Sequence, residues 1–129
     1  TCFTLNLDNL SELTKRFGYT VGDGVLKDFA GLVQLMGDTE GMRGYNGVGR
    51  FVVFFEECSS KKAAAMIRIL DNQVEEYNSL NPEYPIRYTA AWATTEETDT
   101  YEIRELLRLS QKKWKQMEKE KKDKTEEET

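Results

Sequence analysis

Residues 44–55 read GYNGVGRFVVFF. Two β-prone runs, MRGY at 42–45 and RFVVFF at 50–55, flank NGVG, which carries more glycine than a two-strand connection needs. The stretch reads as a hairpin in the middle of the chain, with strands over 42–45 and 50–57. Gly47 and Gly49 are enough for a tight turn, because glycine accepts positive φ at low cost. The same pair would also let a nucleotide phosphate approach the backbone. From the loop alone both readings are open.

On the N-terminal side of the hairpin, CFTLNL at 2–7 alternates as a strand, and Asp8 is placed to cap a helix from about Asn9 to Phe17. Gly18 reads as the glycine that closes this helix, and YTVGDG at 19–24 reads as a loop. Val25, Phe29, Leu32, Val33 and Met36 then share one helical face. After the hairpin, a serine-capped amphipathic helix turns Ala63, Met66, Ile67, Leu70, Val74 and Tyr77 inward. IRYTAAWAT is a strand with Ile86, Tyr88, Ala90 and Trp92 on one face. A last helix from about Tyr101 spaces Ile103, Leu106, Leu107, Trp114 and Met117 helically, with Trp114 open to a core or an interface role. Residues 118–129 contain no apolar side chain and read as a charged, disordered tail, leaving one domain over 1–117. The order β-α-α-β-β-α-β-α predicts an α+β fold of ferredoxin-like type, a mainly antiparallel sheet with helices packed on it.

Composition narrows the chemistry. The 129 residues carry 18 basic and 23 acidic side chains, a net charge of −5, against a general nucleic-acid binder. GRFVVFF loosely echoes an RNA-recognition octamer, but its glycine and aromatic positions do not line up and the charge balance opposes it. No apolar run approaches the ~20 residues of a membrane span. Cys2 and Cys58 show no metal spacing and read as buried, reduced thiols. There is no histidine, which removes the commonest general base and most zinc sites. The chain opens directly on a strand, which is expected of a fragment of a longer protein.

Two stretches together resemble the GGDEF family, the diguanylate cyclases that join two GTP molecules into cyclic di-GMP. The family's first signature, D-x-D-x-F-K-x-x-N-D-x-x-G-H-x-x-G-D-x-x-L, meets NLDNLSELTKRFGYTVGDGVL at 6–26, with Asp8, Gly18, Gly22, Asp23 and Leu26 on signature positions. The second, G-G-D-E-F, meets GVGRF at 47–51. YTAAWAT falls where the family has a V-S-I-G-V-A-like strand. The family's N-terminal helix, with its L-T-x-L-x-N-R pattern, would precede residue 1. The resemblance implies a nucleotide-cyclase-like version of the ferredoxin-like sheet.

The departures change what the resemblance implies. The family's metal-ligand positions correspond to Asn6, Gly49 and Arg50. Three carboxylates have become an amide, no side chain and a cation, and Mg²⁺ wants oxygen ligands beside the phosphates. Val48 stands where the family has its second glycine, and Thr14 replaces the guanine-contacting asparagine, whose partner aspartate survives as Asp23. Asp23 reads equally as a helix cap or a guanine contact, and Arg50 as a solvated strand start or a direct grip on a phosphate. The A-K-x-x-G-R-N pattern after the last helix meets MEKEKKD, and the R-x-x-D product site meets DTEG at 38–41, without its arginine and aspartate.

The expectation is therefore a catalytically inactive GGDEF-like domain, a regulatory or interaction module in bacterial cyclic-di-GMP signalling. Residual nucleotide binding would fall to Thr14, Asp23, Gly47, Gly49 and Arg50, with no catalytic residue and no cofactor. The partners expected are other domains of the parent or another protein, GTP and a second copy of the chain, but no nucleic acid. The location expected is the cytoplasm, including the cytoplasmic part of a membrane-anchored parent. The alternative is an active diguanylate cyclase that holds Mg²⁺ with unconventional ligands.

Overall fold

A computed structural model of the chain describes residues 1–35, 42–45, 49–55, 58–98 and 102–128; for 42–45 and 122–128 the description is of the backbone alone. The elements run β1 Cys2–Leu7, α1 Leu10–Phe17, α2 Tyr19–Gln34, β2 Met42–Tyr45, β3 Arg50–Phe54, α3 Ser60–Leu80, β4 Tyr88–Ala93 and α4 Ile103–Glu128. The strands form an antiparallel sheet in the order β2-β3-β1-β4. β1 thus lies between β3 and β4, the split arrangement that the element order predicts.

Strand alternation decides what each face meets. Phe3, Leu5 and Leu7 of β1 point to the face covered by α2 and α3, where Val53, Phe29, Val33 and Leu70 complete the main core. Phe29 packs edge-on against Phe51 of β3, with centroids 5.6 Å apart. Cys2 and Thr4 point the other way, toward α4, beside Ala93 and Leu106. Ser110 of α4 is fully buried there, donating to the Leu107 carbonyl at 2.9 Å. Its single proton so engaged, Ser110 accepts from the Thr4 hydroxyl at 2.7 Å, which satisfies a polar pair that would be costly if left open. Burial pushes the Cys2 thiol above its usual range, partly offset by Ser110 and the N-terminal charge.

β4 is an edge strand, and α4 covers its exposed backbone. Lys113 and Lys121 donate to the Trp92 and Tyr88 carbonyls, each at 3.1 Å, which blunts an edge otherwise open to strand pairing. Lys113 also pairs with Glu97. Burial works to raise the Glu97 pKa, but the bonds from Lys113 and the Thr94 N–H prevail and hold it below the usual carboxylate range.

Three expectations change. Residues 19–24 are not a loop: α2 begins at Tyr19, directly after Gly18 at φ +95°. Gly22 is there because α1 and α2 cross closely. A Cβ on it would lie 2.3 Å from Thr14 Oγ1, which is itself tied to the Leu10 carbonyl at 2.9 Å. Ile103 and Met117 share the helical spacing of Leu106 and Trp114 but are 53% and 37% exposed. Helix also continues through 118–128, where composition reads as a disordered tail. Lysine and glutamate are strong helix formers, so the absence of apolar residues does not end the element.

The α1–α2 crossing is testable. Gly22→Ala is expected to destabilise the chain by about 1–3 kcal/mol by overpacking, despite alanine's better helix propensity. Thr14→Ala in the same chain should recover most of that loss, a coupling read by urea unfolding of both singles and the double.

Candidate functional site

The strand register fixes the centre of the site. Asn6 on β1 is paired with Arg50 on β3 and with Thr89 on β4, so three side chains stand in one row across the sheet. They lie on the face that α4 covers. Two side chains of α4, two turns apart, reach this row. Trp114, only 5% exposed, places its ring 4.2 Å from the Arg50 guanidinium carbon, a cation–π contact. Lys121 donates to Thr89 Oγ1 at 2.7 Å and holds its ammonium 3.8 Å from Asp8 Oδ2.

Asp8 is the one carboxylate of this group, and it is not a helix cap. The residue at the N-cap position of α1 is Asn9, with no side-chain capping bond; its amide instead grips the Pro85 carbonyl at 2.7 Å and the Arg87 N–H at 3.2 Å. The Asp8 carboxylate turns back toward the sheet. It accepts from Asn6 Nδ2 at 2.9 Å through one oxygen and from the Thr89 hydroxyl through the other.

A divalent cation does not fit this donor set. Asn6 presents its NH₂ to Asp8, Arg50 and Lys121 bring two positive charges, and Asp8 is the single carboxylate available. Among the described residues no group of three or more histidine, cysteine, aspartate or glutamate side chains gathers anywhere. A hard dication needs several oxygen ligands and is repelled by fixed cations in its coordination shell.

Gly49 narrows the hairpin side of the site. Its φ is +89°, its carbonyl accepts from the Leu7 N–H at 2.8 Å, and a Cβ on it would lie 3.3 Å from Leu10 Cδ2 and 3.4 Å from the Leu7 carbonyl oxygen. Gly47 and Val48 lie outside the described residues, as does DTEG at 38–41.

Thr14 and Asp23 lie on α1 and α2 beside the crossing at Gly22. Thr14 Oγ1 is held by the Leu10 carbonyl. Asp23, inside α2 and not at its start, pairs with Lys27 one turn on at 3.1 Å. A cavity of about 240 Å³ opens between α1 and the 81–87 loop, lined by Asn9, Arg16, Phe17 and Arg87 among others. It touches none of Thr14, Asp23, Gly49 or Arg50.

Lys121 is the site residue that sequence reasoning missed. It lies in a run of lysines and glutamates that reads as a solvated end, and its partners Thr89 and Asp8 are far away in the chain. The A-K-x-x-G-R-N pattern does not single it out either, since its basic positions meet Glu118 and Lys122 and its glycine meets Lys121.

Comparison with known proteins agrees with this fold. The family profile described as "Diguanylate cyclase, GGDEF domain" matches residues 1–124. The chain therefore belongs to the GGDEF family, whose domains are found in cyclic-di-GMP signalling proteins. Among solved structures, the active GGEEF domain of a diguanylate cyclase from Vibrio cholerae superposes with a TM-score of 0.77 at 19% identity, covering 92% of this chain and 76% of that one. The GGDEF domain of DgcB from Caulobacter crescentus, in complex with c-di-GMP, gives 0.59 at 14% identity over 70% of this chain and 56% of that one. A GGDEF domain from Pseudomonas aeruginosa, PA1120, gives 0.55 at 21% identity over 70% and 54%. At these identities the likeness is one of fold. A search of curated proteins found no match. No helix among the described residues is long and apolar enough to cross a membrane.

The tight approach at Gly49 predicts the cost of restoring a side chain there. Gly49→Ala and Gly49→Asp should each lower stability by about 1–2 kcal/mol, because a Cβ is strained at positive φ and meets Leu10. Urea midpoints unchanged from the parent chain would show that the hairpin tip relaxes freely.

Proposed function

We propose that this GGDEF domain has given up nucleotide cyclisation and serves as a regulatory or interaction module of a larger protein. The observation that carries this reading is the stacking of Arg50 on Trp114, at a position where the resemblance expects a metal-binding carboxylate. Phosphoryl transfer between nucleotides draws most of its charge stabilisation from bound metal ions. In their place this chain has internal cations already engaged with its own residues, Arg50 with an indole and Lys121 with Thr89 and the neighbourhood of Asp8.

Residual nucleotide binding, if the domain keeps it, would not depend on Mg²⁺. Arg50 and Lys121 would face the phosphates directly, and Asp23 on α2 would face the base, with Gly47 and Gly49 shaping the turn between them. Arg50 can offer a planar fork to a phosphate only by sharing or leaving its contact with Trp114. The partners proposed are neighbouring domains of the parent, a separate protein or a second copy of the chain, in the cytoplasm.

Incubation with GTP and Mg²⁺ or Mn²⁺, followed by chromatography, tests the reading. No cyclic di-GMP should form, and titration calorimetry should give the same GTP affinity, or the same absence of binding, with and without Mg²⁺. A robust cyclic di-GMP peak would establish an active cyclase with unconventional ligands and overturn the proposal.

A further inference from the structure

The outward face of α4 carries a feature that the site does not use. Arg104, Arg108, Lys112, Lys115 and Lys119 are all exposed and follow one another at spacings of four, four, three and four residues. At 100° per residue they fall within an arc of about 80° and run about 22 Å along the helix. Leu106, Ser110 and Trp114, the residues buried against the sheet, lie on the opposite side. Between 104 and 119 no acidic residue falls within the arc, which first meets one at Glu126. The stripe is thus an unmixed row of cations on a chain whose net charge is −5.

A solvated helix face ordinarily mixes signs, because like charges at i,i+4 destabilise a helix and opposite charges support it. Here three successive i,i+4 neighbours, 104–108, 108–112 and 115–119, are like-charged. Arg108 is paired, with Glu105 at 2.9 Å. No ion pair among the described residues engages Arg104, Lys112, Lys115 or Lys119.

We infer that this stripe is a docking surface for an acidic helix, supplied by another domain or protein, that lies along α4 with a row of glutamates or aspartates matched to the stripe. The spacing and width favour a helix over other polyanions. Spacings of three and four residues keep the row on one face of α4 over several turns, so a second helix lying alongside can meet every cation in it. The row is one side chain wide and bordered by Glu105 and Glu118, whose carboxylates would meet a flat anionic bilayer together with the cations. No aromatic or aliphatic side chain stands within the arc to insert into a membrane or stack on a base. The charge complementarity required of the partner is linear and single-signed, which suits a helix face.

The test uses the 129-residue chain and a synthetic helical peptide of about 20 residues with glutamates three or four apart along one face, matched to the stripe. Binding is expected at about 50 mM salt and should fall steeply by about 500 mM, as for an exposed ionic contact. A peptide of identical composition with its glutamates spread around the helix should bind about tenfold more weakly. Lys112→Glu/Lys115→Glu/Lys119→Glu should abolish binding, and the corresponding triple lysine-to-arginine chain should retain it, circular dichroism showing both folded. The inference is overturned if the wild-type chain ignores the patterned peptide, binds both peptides equally, or binds regardless of the charge reversal. Tighter binding to phosphatidylserine-containing vesicles or to an oligo-dT strand than to the peptide would also overturn it.

Discussion

The stacking of Arg50 on Trp114 is the contact on which the functional half of this molecule turns. It joins the start of β3 to the middle of α4 across the face where Asn6 and Thr89 also stand. A desolvated arginine over an indole contributes about 1–2 kcal/mol, and here it also fills space with a fixed cation. Lys121 brings a second positive charge to the other end of the row, 3.8 Å from Asp8. Both ends of the row thus carry the chain's own positive charge, which supports the proposal that this face has no metal ion. The fold does not depend on that chemistry, since its core of Phe3, Leu5, Phe29, Val53 and Leu70 sits on the opposite side of the sheet.

Much of the fold was legible in the sequence, because strand alternation and helix amphipathicity are local signals. The order of elements, the central hairpin and the inward faces of α2 and α3 follow from residues within one or two turns of each other. Apart from the helix over 118–128, which local propensity supports, the failures share a cause, which is that their determinants are tertiary. Gly22 reads as a loop residue until Thr14 is found against it on another helix. Asp8 reads as a cap because Asn9 follows it, whereas its actual partner, Thr89, comes from the far end of the chain. Ile103 and Met117 share the helical spacing of Leu106 and Trp114, yet remain exposed, because spacing marks a face and not how much of it a neighbour covers.

The candidate site was legible in part, and through resemblance more than through physics. Asn6 and Arg50 were marked out as replacements for carboxylates, and the register places them side by side. Trp114 could be read as core or interface but not as the partner of Arg50, since nothing local links a tryptophan on the last helix to an arginine 64 residues earlier. α4 emerges as an element with two distinct faces, one that closes the sheet with Ser110, Trp114 and Lys121, and one that presents a row of cations to solvent.

The proposed loss of cyclisation rests on this sheet face not taking a divalent cation. Mn²⁺ titration of the isotope-labelled chain, followed by the paramagnetic broadening of backbone amides, addresses it directly. The account requires that Leu7, Asp8, Arg50 and Thr89 broaden no more than amides near exposed acidic residues elsewhere, such as Glu75 and Glu83. Selective loss of the Leu7, Asp8 and Arg50 signals at low Mn²⁺ concentration, reversed by Mg²⁺, would contradict it.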